Sequence, residues 1–215
     1  MKCKFCQQYR KEFNSALKSE TFDWEYWESN EDAIRDSESP SNIELREQAS
    51  ALIKTDPEAA LVLYERAYAN GSISAPRQIG WHCETGGTLE QNPIKAKEYY
   101  LTGWKRGSQL SGLEFARCSY RDNEYEQALA ALEDLTSEGF VPAHYYIANY
   151  TAHHRDKDAT DGAVLPHLQT AAEGGHPLAM FWLGRIMCRG KLGLKNVPAG
   201  INMYWPLVMR IHKKM

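Results

Sequence analysis

The sequence repeats itself at intervals of 36, 32 and 36 residues. A chain with such a period folds as a stack of like units, each leaning on its neighbours. Gly71, Gly107, Gly139 and Gly175 mark the register. Four residues after each stands a small side chain: Ala75, Ser111, Ala143 and Ala179. Eight and nine residues after come Ile79-Gly80, Phe115-Ala116, Ile147-Ala148 and Leu183-Gly184, each a bulky apolar residue followed by a small one. The glycines are preceded at minus eleven by Ala60, Ala96, Ala128 and Val164, and at minus seven by Tyr64, Tyr100, Leu132 and Leu168. At minus four stand Ala67, Gly103, Leu135 and Ala171. Steps of four and three put the preceding columns on one helical face, and plus four and plus eight share a face of a second helix. A glycine between the two faces suits a helix C-terminus, where the chain often passes through a left-handed residue. Small residues at the contacts let helix axes approach closely while the bulky neighbour fills the groove beside them. One such hairpin cannot bury its apolar face alone; four stacked hairpins can.

These columns resemble the SEL-like repeat (SLR) family, close relatives of the tetratricopeptide repeat. Gly139 to Ala148 carries the likeness plainly, as does the run from Ala171-Ala172 through Gly174-Gly175 to Ala179 and Leu183-Gly184. The resemblance covers about residues 43–212. It implies an all-α fold, a right-handed α/α superhelix of stacked helix–turn–helix repeats that is TPR-like, with an N-terminal helical extension. Residues 1–42 are then a helical extension or cap, and residues 43–215 a solenoid of about four repeats plus terminal half-repeats. Leu45, Ala49, Leu52 and Ile53 form a helical stripe for the leading half-repeat. Gly200, Tyr204 and Leu207 match the first-helix columns of a closing one, with Pro206 kinking or shortening it. Connections with their own glycines follow unit one (Gly86-Gly87-Thr88-Leu89) and unit four (Gly190 to Leu194), while Arg121 to Tyr125 reads as a tetratricopeptide-style turn.

Composition bounds the function. With 43% hydrophobic and 25% charged residues in 215, the chain carries one ordinary domain or a domain with an extension. No window approaches the roughly 20 consecutive apolar residues of a membrane helix, and no apolar stretch follows the basic start, so neither a membrane span nor a secretory leader is expected. Five cysteines do not make a disulfide framework; Cys83, Cys118 and Cys188 fall in second helices as small apolar residues. The secreted branch of the SLR family carries a regular cysteine pair in each repeat. This chain lacks it, so the β-lactamase-like activity ascribed to that branch is not carried over, and a reducing, cytoplasmic location is expected. Charge is unevenly placed: residues 20–47 hold ten acidic and two basic side chains, residues 174–215 seven basic and no acidic ones. Solvated faces account for this, as does polarity used to orient a charged partner. Nucleic acid is not the expected partner, because the acidic segment opposes phosphate and the basic residues lack interleaved aromatics.

Before residue 43 the columns vanish. Cys6, Tyr9, Phe13 and Leu17 form an amphipathic stripe, followed by the aromatic and acidic run Phe22 to Glu28. There Trp24 and Trp27, three apart, either cap the open end of the stack or belong to a partner-binding extension. Ser37 to Asn42 reads as a turn or linker. Cys3 and Cys6 form a C-x-x-C, half of a zinc site, and remain weak metal candidates; the other close pair of possible ligands considered with them is His153-His154, adjacent in a polar connection. No phosphate loop, G-x-S-x-G or H-E-x-x-H is present, so no enzyme and no cofactor are expected. His82 and His144 read as structural histidines of second helices, with His167 on a first helix and His176 in a turn.

By resemblance, the expected function is protein–protein interaction, as a scaffold or adaptor in a bacterium; the alternative is an immunity or regulatory inhibitor protein that neutralises a partner enzyme or toxin. First-helix positions outside the core columns supply Leu63, Arg66, Lys95, Tyr99, Arg106 and His167 as a candidate binding face, because arginine and tyrosine are common interface anchors.

Overall fold

In a computed structural model, Gly71, Gly107, Gly139 and Gly175 lie at φ between +82° and +99°, the left-handed region in which a side chain is strained. The structure describes residues 38–86, 90–154 and 161–189. These form nine helices and no strand: α1 (Pro40–Leu52), α2 (Pro57–Ala69), α3 (Ala75–Thr85), α4 (Pro93–Lys105), α5 (Gln109–Arg121), α6 (Tyr125–Ser137), α7 (Pro142–His154), α8 (Leu165–Glu173) and α9 (Pro177–Arg189). Several readings fall outside the described residues: the Cys6–Leu17 stripe, Cys3, Trp24, Trp27, the side chain of Cys188, the connection from Gly190, and the closing half-repeat with Pro206.

Local chemistry sets the helix starts. In α1, α2 and α4 a proline occupies the first turn, where its missing N–H costs nothing. The preceding Ser39, Asp56 and Asn92 accept the amides of Asn42, Ala59 and Lys95. This corrects the linker reading of Ser37 to Asn42: Ser39 and Pro40 are the cap and first residue of α1. The Arg121–Tyr125 turn has no glycine, and Asn123 takes the left-handed conformation instead, at φ 65°. Its amide donates to the Tyr120 carbonyl, and that of Glu124 to the Ser119 carbonyl, closing the end of α5.

The chain divides into two compact units, one holding described residues up to Leu135 and the other those from Thr136 on. In the first, α1 packs on α2, α2 on α3, α3 on α4 and α4 on α5; in the second, α7 packs on α8 and α8 on α9. Every residue of the six columns is buried. The bulky second-helix residues Ile79, Phe115, Ile147 and Leu183 are 1%, 5%, 5% and 3% exposed. The small columns are as constrained as the large ones. A β-carbon on Gly103 would run into Ser111 Oγ and Cβ, so α4 and α5 meet with no room for a methyl group.

Buried polar groups tie the hairpins of the first unit. The fully buried Tyr100 of α4 donates through its hydroxyl to Glu84 Oε2 of α3 at 2.9 Å, and Glu84 also receives Arg117 and Arg121 of α5. Burial works to raise the Glu84 pKa, but these donors outweigh it and hold the carboxyl below its ordinary range. Glu38 plays the same part ahead of α1. Its carboxylate accepts from the Ser72 hydroxyl at 2.6 Å, the Ile73 amide at 2.7 Å, and the Ser74 amide and hydroxyl at 2.9 and 3.0 Å, with Arg46 Nε 2.9 Å away. Cys83 and Cys118 are buried free thiols, and burial pushes Cys118 up to about 11, which keeps it protonated and inert.

Candidate protein-interaction surface

The first unit gathers aromatic and cationic side chains from two successive first helices. Tyr68 stands in the last turn of α2 and Tyr99 in the middle of α4, both half-buried. Their rings meet edge to face, 6.2 Å between centroids and 80° between planes. Lys95, one turn before Tyr99, places its ammonium 5.9 Å from the Tyr99 ring. The Arg106 guanidinium lies 4.1 Å from the Tyr68 ring centre. These are cation–π distances. Burial raises the Tyr99 hydroxyl pKa, helped by the Glu65 carboxylate, so the group is a neutral hydrogen-bonding phenol at any physiological pH.

Arg106 has a second task. From the C-cap of α4, its Nη1 donates to the carbonyls of Tyr68 at 2.8 Å and Ser72 at 3.2 Å. Those oxygens lie at and just beyond the end of α2, where helix carbonyls lack intrahelical donors. Arg106 therefore joins neighbouring hairpins while its flat face covers Tyr68. Arg66 is exposed on α2 and Leu63 is half-buried. His167 belongs to the other unit: on α8, it faces His144 of α7 with 2.8 Å between their Nδ1 atoms. The structure thus brings Tyr99, Lys95 and Arg106 into one cluster with Tyr68. Tyr68 sits three residues before its glycine, beside a core column, and nothing in the repeat pattern singles it out. The first unit also exposes Trp81, Val62 and Ile94, at 50%, 54% and 76%.

No group of three or more His, Cys, Asp or Glu side chains suited to a metal ion exists among the described residues. No described helix is long and apolar enough to cross a membrane. No protein-family model and no curated protein matches the chain. Among solved structures, a Sel1 repeat protein from Oxalobacter formigenes is similar at a TM-score of 0.64 and 17% identity, over 81% of this chain and 74% of that one. The fold is that of the SEL-like repeat proteins. A protective antigen of uropathogenic Escherichia coli strains, itself displaying an SLR fold, matches at a TM-score of 0.62 and 19% identity over 79% of this chain. The chain spans 38% of that antigen's length. The SLR fold explains why the sequence columns are core residues. Function in such a fold resides in the side chains that the columns leave over.

Proposed function

We propose that this SLR protein is a protein–protein interaction module, a scaffold or adaptor in a bacterial cytoplasm. Its binding face is the first-helix surface carrying Tyr68, Lys95, Tyr99 and Arg106. The observation that carries the reading is this cluster itself: two tyrosines and two cations, drawn from α2 and α4. Tyrosine gives large contact area at little entropic cost, Arg106 is already held by the Tyr68 and Ser72 carbonyls, and the cations favour a partner that is acidic or aromatic. The test begins with affinity capture from the native host and then measures binding of the captured protein. Tyr99→Ala and Lys95→Glu each weaken that binding at least tenfold while leaving the thermal midpoint nearly unchanged. If both bind normally and removal of residues 1–42 abolishes binding, the site is the Trp24 and Trp27 segment. A tight one-to-one complex that silences a partner enzyme makes the module an inhibitor or immunity protein.

A further inference from the structure

The turn from α2 to α3 is gripped from two sides. α3 starts four residues after its glycine, whereas α5, α7 and α9 start two or three after theirs. The longer turn presents the amides of Ile73 and Ser74 to Glu38, and Ser74 gives its hydroxyl to the same carboxylate rather than capping α3. With the Ser72 hydroxyl, these donors meet at Glu38 Oε1, a negative charge at the positive end of α3. Burial opposes that charge, but the Ser72 and Ser74 donors and Arg46 outweigh it and hold the Glu38 pKa below its ordinary value. One helical turn further on, Asn42 Nδ2 donates to the Asn70 carbonyl at 3.3 Å. From the other side, Arg106 of α4 holds the Tyr68 and Ser72 carbonyls. Ser72 is thus shared, its side chain by Glu38 and its carbonyl by Arg106.

α1 is otherwise lightly held. Of its thirteen residues only Asn42 and Ala49 are buried, against eight of thirteen in α5, and Leu45 and Leu52 are half-buried. A helix with so few buried apolar contacts opens locally, at a free energy well below that of global unfolding. Its polar dock converges on the segment that places Arg106 over Tyr68. We propose that α1 is a latch on the Tyr68–Arg106 face: with Glu38 seated in the turn, the Ser72 carbonyl is fixed and Arg106 stays on Tyr68, and when α1 lifts away both grips loosen together. The coupling is reciprocal, so whatever holds Arg106 in place also keeps α1 docked. A partner that binds the closed face gains affinity from the docked latch. That consequence rests on the proposed function of the face, whereas the coupling belongs to the free protein.

The experiment follows amide hydrogen exchange of the full chain by NMR, with no partner added. Asn70, Gly71 and Ser72 are the informative amides, because they donate to the carbonyls of Arg66, Tyr68 and Ala67 and not to Glu38. Glu38→Ala is expected to speed exchange of these three and of the α1 amides about tenfold or more, with the α5 amides unchanged. Arg106→Gln, a change outside α1, is expected to speed the same two groups. In the double variant the Ser72 rate stays below the product of the two single effects, because both grips act through one residue. Loosening of α1 alone in Glu38→Ala, with Asn70, Gly71 and Ser72 at wild-type rates, overturns the proposal, as does an Arg106→Gln chain whose α1 exchanges normally. Single effects that simply multiply overturn it too. An equal rise in α5, or a Glu38→Ala chain that does not fold, means that α1 opens only with the whole unit and is no latch. None of these outcomes depends on how Tyr99→Ala or Lys95→Glu changes binding, so the latch and the binding face fail separately.

Discussion

His176 makes the second unit acid-sensitive, and the size of the effect follows from its surroundings. The ring is fully buried at the start of α9, where its Nδ1 accepts the Ala179 amide at 3.4 Å. Tyr145 stacks on it, 4.4 Å between centroids and 18° between planes. Accepting that amide requires a bare Nδ1, and the positive end of the α9 dipole further opposes a second proton. Burial pushes the His176 pKa down to about 3, whereas an unfolded histidine titrates near 6.5. Below 6.5 the unfolded chain therefore takes up a proton that the folded chain refuses. The contribution is intact above pH 6.5 and is lost as pH falls from there toward 3. At about 1.4 kcal/mol per pH unit, the loss reaches about 3 kcal/mol at pH 4, a large share of a marginal domain's stability. The assay compares urea unfolding of the wild type and His176→Asn from pH 8 to pH 4. Asparagine keeps an oxygen that caps the helix but cannot take the proton. The variant is expected to be weaker at pH 8, having lost the stack on Tyr145, yet to lose about 3 kcal/mol less on acidification. His82 and His144, also lowered by burial, contribute equally to both proteins and cancel in the difference. Parallel pH profiles for the two proteins refute the reasoning, as does a His176 resonance titrating near 6.5.

Two further outcomes test the packing. Phe115→Ala removes a side chain held between hairpins and in tilted contact with Trp104, and a loss of about 3–5 kcal/mol is expected in denaturant unfolding; a loss below about 1 kcal/mol contradicts the stacked core. Glu84→Gln leaves the Tyr100 hydroxyl a neutral acceptor but deprives Arg117 and Arg121 of the Glu84 carboxylate, leaving them Glu114 and Asp122. Both arginines are about two-fifths exposed, so solvent screens the loss to about 1–2 kcal/mol. Because the folded pKa of Glu84 is lowered, that difference is present above pH 4.5 and is expected to shrink as pH falls below it.

Sequence and structure divided the fold between them along physical lines. The repeat was legible because a helix face buried in every unit demands a bulky residue at the same spacing, so Tyr64, Tyr100, Leu132 and Leu168 recur in register and are all buried. The turn glycines were legible for the same reason: the left-handed conformation selects them, whereas Asn123 carries no such mark because asparagine also tolerates it. The interaction surface was half-legible. Helical spacing marks Lys95, Tyr99 and Arg106, but Tyr68 joins them only because its ring reaches from α2 to meet that of Tyr99 edge to face.

What only tertiary structure decided is which polar groups meet. Glu38 and Ser72 are 34 residues apart, and Glu84 lies 33 and 37 residues before Arg117 and Arg121. Such a pairing leaves no periodic trace, because it occurs once and depends on where one hairpin sets down on the next. His144 and His167 make the point most plainly. In the sequence they are a core-facing residue of one helix and a surface residue of another. Their 2.8 Å approach exists only because α7 and α8 pack at a separation fixed by Val164, Leu168 and Ala171 beneath them. Local spacing encodes the face each helix buries; the distance between faces is set by the side chains that fill the gap, and chemistry between helices follows from that distance.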